Sequence, residues 1–214
     1  MTRATADHSA TRKLPVVVPE HDTIFRLAQL VLLMDVLVEF HPDGAHLERL
    51  GAYDFLAANP LLMASAEDDP DRLSLQLAGF DDRALSYASP AQRFATRRER
   101  LQHDLALLIA YGLVATSVRG HVLYRLTDSG RQMARDFTAM YARSYKTAAS
   151  VVISRLRKFS DKRLRESLTA WTRVSESGSL NGIDLADITE SQGIASHSAF
   201  GIMGDVPPFE GEVS

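Results

Sequence analysis

The sequence predicts a mostly α protein with a small β-hairpin wing, and three features between Arg93 and Phe137 predict it. Leu101, Leu105, Leu108 and Ile109 recur at helical spacing, and Gly112, which tolerates a positive φ, can end that helix. Leu113 to Val118 and His121 to Leu126 suit two strands joined by a turn at Arg119-Gly120. Thr127 or Asp128 can cap the next helix, where a side-chain oxygen accepts from free backbone N–H groups. Helix, tight turn, strand, turn, strand, helix is the order of the back half of a winged helix. The expected architecture is therefore a winged-helix domain with helical N- and C-terminal extensions. An unrelated helix–hairpin–helix inside a larger fold fits the same pattern.

The other elements follow in order. Residues 1–20 read as a flexible arm, polar up to Lys13, with Pro15 and Pro19 favouring extended backbone. Residues 21–90 read as a helical N-terminal region. Asp22 or Thr23 can cap a helix through about Phe40, and its apolar residues surround the axis, so it should be buried, in its own core or against a partner. Pro42, Asp43 and Gly44 make a turn, and a second helix from Ala45 to Ala58 is stopped by Asn59-Pro60. Leu73, Leu75 and Leu77 alternate as in a short strand, and Ser89-Pro90 opens the helix of the winged-helix core, residues 91–140. Asp128 to Phe159 reads as one long helix. Ser160 can cap another through Trp171, which places C-terminal helices in residues 141–174. Residues 175–214 are small and polar, with the sparse apolar anchors Ile194, Phe200, Ile202, Met203 and Phe209, and read as an acidic, flexible tail able to dock on a partner or on the chain's own basic surface.

The composition narrows the function. The 214 residues include no cysteine, which excludes disulfides and thiolate metal sites. The most apolar run, Ile24 to Phe40, is interrupted by Arg26, Gln29, Asp35 and Glu39 and falls short of a bilayer span, and the first 21 residues hold no apolar stretch of signal-peptide length. A soluble, cytoplasmic protein is expected. No phosphate-binding loop, serine nucleophile elbow or H-E-x-x-H pair occurs, and the seven histidines form no compact metal-ligand pattern. The acidic run around Glu67 to Asp71 lacks the ordered spacing of a calcium loop and reads as an exposed loop. We expect no enzyme activity, no cofactor and no metal.

Charge is strongly segregated. Residues 1–90 carry 7 Lys/Arg and 14 Asp/Glu, residues 91–173 carry 17 and 6, and residues 174–214 carry none and 7. The basic block suits a polyanion such as DNA, or else pairs with the acidic flanks. Arg93, Arg97 and Arg100, spaced by four and three, fall on one helical face, with Arg98 and His103 nearby and the leucines expected on the opposite face. In a winged helix this is the recognition helix, whose arginines reach phosphates or guanine edges. Arg119 at the wing tip, with His121 and Arg125 on the returning strand, extends the expected nucleic-acid-binding set. A solvated face, partly balanced by Glu99 and Asp104, is the competing reading. A second basic block, from Arg155 to Arg165, lies around Ser160.

Two resemblances sharpen these expectations. GLVATSVRGHVLYRLTDSGRQ resembles the wing and following helix of MarR-type winged-helix proteins. The stretch LAQLVLLMDVLVEF…LERLGAYDFLAANPLLM, through Leu50, Tyr53, Asp54, Phe55, Asn59 and Pro60, resembles the middle component of ABC-three-component, Lamassu-like bacterial defence systems. The second implies a small non-enzymatic accessory subunit working with an SMC-like ATPase and a separate effector, with DNA as a further partner. Tyr53 and Phe55 are first of all core candidates, and the resemblance adds a partner contact there; Phe200 and Phe209 are the partner anchors expected of the tail. The MarR resemblance implies instead a homodimeric transcriptional regulator on a palindromic operator.

Overall fold

A computed structural model describes residues 22–81 and 88–178, with side chains through residue 173. Its described part is mostly helical, with seven α-helices and one small antiparallel sheet. The expected arm, residues 1–20, and the tail beyond residue 178 lie outside the described residues.

Helix α1, Thr23–Phe40, starts where the Asp22 carboxylate accepts the Phe25 N–H at 3.1 Å. Its nearly all-round apolar surface is buried from Gln29 to Met34 and again at Val36 and Leu37, so it is the central helix of this chain's own core. A turn then leads to β1, Ala45–His46, and α2, Leu47–Ala58. The helix expected from Ala45 thus begins two residues later. Those two residues pair instead with the far hairpin strand, Ala45 opposite Tyr124 and His46 opposite Leu123. Gly44 makes this pairing possible: its φ is +91°, and a Cβ would stand 2.2 Å from the Tyr124 carbonyl oxygen. Gly44→Ala is therefore expected to lose at least about 1–3 kcal/mol through backbone strain alone, with the clash added. A urea midpoint matching that of the wild type would contradict this.

After Asn59 a short 3-10 turn, Pro60–Leu62, leads to α3, Arg72–Leu77. The expected strand here is a helix. Of its three alternating leucines only Leu75 is buried, while Arg72 donates to the carbonyls of Ala64 and Ser65 and fixes the first turn. Helix α4, Pro90–Ala110, begins at Ser89, whose hydroxyl accepts the Gln92 N–H, and ends at Gly112, φ +70°. Strands β2, Val114–Arg119, and β3, His121–Leu126, follow in register, and the sheet order is β1-β3-β2. Thr127 caps α5, Asp128–Asp136.

The single long helix expected from Asp128 to Phe159 is broken. Phe137 and Ala139 adopt extended ψ angles of 95° and 150°, and α6, Met140–Leu156, starts anew. The break redirects α6 across α1 and α2, and Lys146 fastens it by donating to the Ala134 carbonyl and to Asp35. Helix α7, Asp161–Gly178, then packs against α4 and α2, its first turn capped by the Ser160 hydroxyl. One main hydrophobic core joins these layers, and a small second cluster seats Leu75 of α3 against Ala64 and Ala148. The main core runs from Leu30 and Leu33 of α1 through Leu50 and Phe55 of α2 and Leu101 and Leu105 of α4 to Val152 of α6 and Leu168 of α7.

Candidate nucleic-acid interface

Helix α4 shows how spacing and surroundings decide what an arginine does. Arg97 is four residues before Leu101 and eight before Leu105, so it shares their face and points into the core. Its Nε donates to Asp54 Oδ2, and its Nη2 donates to Asp54 Oδ1 at 3.0 Å and to Gln29 Oε1 at 2.6 Å. The Tyr145 hydroxyl donates to the same Asp54 oxygen at 3.3 Å, and the Gln29 amide donates to Tyr141. Burial alone would lower the Arg97 pKa, but the Asp54 carboxylate outweighs it, so the pKa is raised and the guanidinium stays charged. Burial, with Asp54 beside it, pushes the Tyr145 hydroxyl well above the usual tyrosine range. A second inward pair, Arg26 with Asp104 at 2.8 Å, borders the same small void between α1, α2 and α4.

The expectation of one exposed arginine face is thereby corrected. Arg97 turns inward onto Asp54 with its side chain 14% exposed, and Arg93 is half-buried and donates to Asn59 Oδ1 at 2.5 Å. Arg100 is half-buried as well. What α4 turns to solvent carries little net charge: Gln92, Ala95, Glu99, Gln102, Ala106, Ile109 and Ala110, with His103 and with Arg98, 61% exposed. The leucines lie on the arginine face and not opposite it.

The hairpin does gather the residues expected of it. Arg119 faces His121 across the turn, and His121, Leu123 and Arg125 alternate onto the same side of the sheet. Arg119 is 65% exposed and pairs with Asp43 at 2.7 Å, His121 and Arg125 are exposed, and the His121 ring stands 5.8 Å from that of His46. Val118 and Val122, paired across the strands, leave a small apolar spot at the tip of the opposite side.

Much of the basic block is answered by acids of the N-terminal region. Besides Asp54–Arg97 there are Asp35–Lys146 at 2.8 Å, Asp69–Arg155 at 2.8 Å and Asp43–Arg119. In the second basic block Arg163 and Arg157 lie over the rings of Phe159 and Phe40. Of the expected partner contacts, Tyr53 and Phe55 are fully buried: Arg49 donates to the Tyr53 hydroxyl, and Phe55 packs edge-on against Phe94. Both are core, and neither offers surface to a partner. Phe200 and Phe209 lie outside the described residues.

Sequence reading missed a cleft of about 230 Å³ between α2, α4 and α7. Its walls come from three distant segments, which no local pattern brings together. Among the described residues no group of three or more His, Asp or Glu side chains could hold a metal ion, and no helix is long and apolar enough to cross a membrane.

Residues 85–177, essentially α4 through α7, match the family described as ABC-three component (ABC-3C) system Middle Component 2. The resemblance to a middle component of such systems is borne out over that stretch. The match does not extend over Leu50 to Pro60, which carry the likeness in the sequence, but it covers the hairpin and the three helices after it. A middle component of a multi-component system works with protein partners. Among curated proteins and among solved structures, no match to the chain was found.

Proposed function

We propose that this chain is a non-catalytic winged-helix accessory subunit of an ABC-three-component defence system, assembling with an SMC-like ATPase and a separate effector and contributing to DNA binding through its wing. The match to Middle Component 2 carries the reading. The winged-helix assignment is supported by topology: α1, β1, α2 and α4 precede a hairpin, and the short β1 lies against β3. In that frame α4 is the recognition helix and Arg119 sits at the wing tip.

The electrostatics move the DNA contact away from the inward α4 arginines, Arg93, Arg97 and Arg100, and leave only Arg98 among the arginines of that helix available. Arg98, Arg119, His121 and Arg125 are exposed, whereas Arg97 is committed to Asp54. The Arg119–Asp43 pair is a surface pair of the kind worth about 0–1 kcal/mol, so a phosphate can displace the carboxylate at little cost. Contacts of this sort position a protein on a duplex without reading sequence.

Coexpression with the SMC-like ATPase of a neighbouring gene, followed by size-exclusion chromatography, tests the subunit assignment. The chain is expected to co-elute with the ATPase. Migration as a free homodimer that binds its own promoter, with the ATPase eluting separately, would favour a MarR-like regulator instead.

A further inference from the structure

We infer that the cleft between α2, the first half of α4 and α7 receives a helix of a partner protein that carries an apolar stripe flanked by carboxylates. The inference rests on the subunit reading only in taking the occupant to be a protein. The shape of the cleft follows α7: its lining residues from Asp161 to Thr172 recur at three- and four-residue spacing, one face over three turns and roughly 16 Å of helix. Leu164 and Leu168 form the floor of that face, and Leu47, Gly51 and Ala52 of α2, with Phe94 of α4, form the facing wall. A groove that runs straight along one helix suits a second helix laid beside it, with side chains at i, i+3 and i+4 entering.

The polar groups inside the groove ask nothing of an occupant. The Thr169 hydroxyl donates to the Arg165 carbonyl at 2.9 Å and the Thr172 hydroxyl to the Leu168 carbonyl at 3.0 Å. At one end Arg49 is held by Asp161 at 2.6 Å. Elsewhere the rim sets two arginines against one acid, Glu48. Arg98 and Arg165, 61% and 68% exposed, share a single carboxylate, Glu48, at 3.8 and 3.9 Å, beyond hydrogen-bond length. Two cations held this loosely are the feature a partner's carboxylates complement, and such rim charges set specificity and register. A nucleic acid would satisfy the two arginines and leave the apolar floor unfilled, so the cleft favours protein.

The test uses the full chain and two synthetic amphipathic helices of about 15 residues with one leucine stripe, flanked by Glu in one and by Lys in the other. Fluorescence polarisation gives affinity, and amide chemical shifts give the site. The Glu peptide is expected to bind, shifting amides of α7 between Leu164 and Thr172, and the Lys peptide to bind at least roughly ten-fold more weakly. The exposed-site double variant R98E/R165E should exchange that preference without touching the core. Thr169→Trp, at an exposed position of the lining, should fill the groove and reduce binding of both peptides. No binding of the Glu peptide below about 1 mM, equal binding of the two, or shifts confined to other faces would overturn the inference. Co-elution with the ATPase alongside failed peptide binding would sink the cleft assignment alone. Peptide binding without co-elution would sink the subunit assignment and leave the cleft standing.

Discussion

Asp54→Ala is expected to destabilise the protein by about 3–5 kcal/mol, because it leaves the Arg97 guanidinium charged and without its carboxylate in the core. Asp54 accepts both arms of Arg97 as well as the Tyr145 hydroxyl, and its side chain is 5% exposed. In a domain of this size that loss corresponds to a fall in Tm of roughly 10 °C. The charge, not the volume, is at fault, so removing both partners should restore much of the loss: the double variant Asp54→Leu/Arg97→Met replaces an ion pair by apolar side chains, an exchange that is often neutral or stabilising. Urea denaturation checks both, since a change in midpoint at constant slope reports stability. A single variant within about 1 kcal/mol of wild type would mean that water reaches Arg97 and that the pair is not a core feature. A double variant no better than the single one would place the loss in packing.

The fold was legible wherever local chemistry speaks in one voice. Asp22, Ser89 and Thr127 each cap the helix expected of them, Gly112 adopts the positive φ that ends α4, and the hairpin turns at Arg119-Gly120. Three errors share one cause, tertiary contacts that no window of sequence contains. Ala45 and His46 become a strand because β3 is beside them, and Arg72 ties the Leu73 segment into a helical turn by reaching back to Ala64 and Ser65. The helix after the wing breaks at Phe137 without a proline or glycine to mark it, because α6 must cross α1 and α2. The α4 arginines are a different case. Their own spacing relative to Leu101 and Leu105 places Arg97 on the buried face, and that signal is present in the sequence. What no local pattern shows is the buried acid that makes an inward arginine tolerable, Asp54, 43 residues away on another helix. The segregation of charge has the same explanation in part: the acidic N-terminal region and the basic middle face each other across the core and its rim.

Replacing Arg98, Arg119 and Arg125 together by alanine is expected to weaken DNA binding at every sequence and to flatten its salt dependence. All three side chains are exposed, and Arg119 and Arg125 lie on one side of the hairpin. Every arginine that no longer neutralises a phosphate takes about 0.9 off the slope of log K against log salt, so the full set takes off up to about 2.7. The decisive comparison is with Arg93→Ala and Arg97→Ala, which an exposed recognition face would make the most damaging. With Arg97 in the core, its replacement should lower stability and leave the salt slope of the folded fraction unchanged, because Arg97 neutralises no phosphate. Binding curves across a salt series, measured on variants whose folding is first established by thermal denaturation, separate the two effects. A flattened slope for the Arg97 variant at full foldedness would return the DNA-binding role to the Arg93 and Arg97 face of α4. An unchanged slope for the triple variant would take both the wing and Arg98 of α4 out of DNA binding and leave these exposed cations, like the acids that face them, to protein partners.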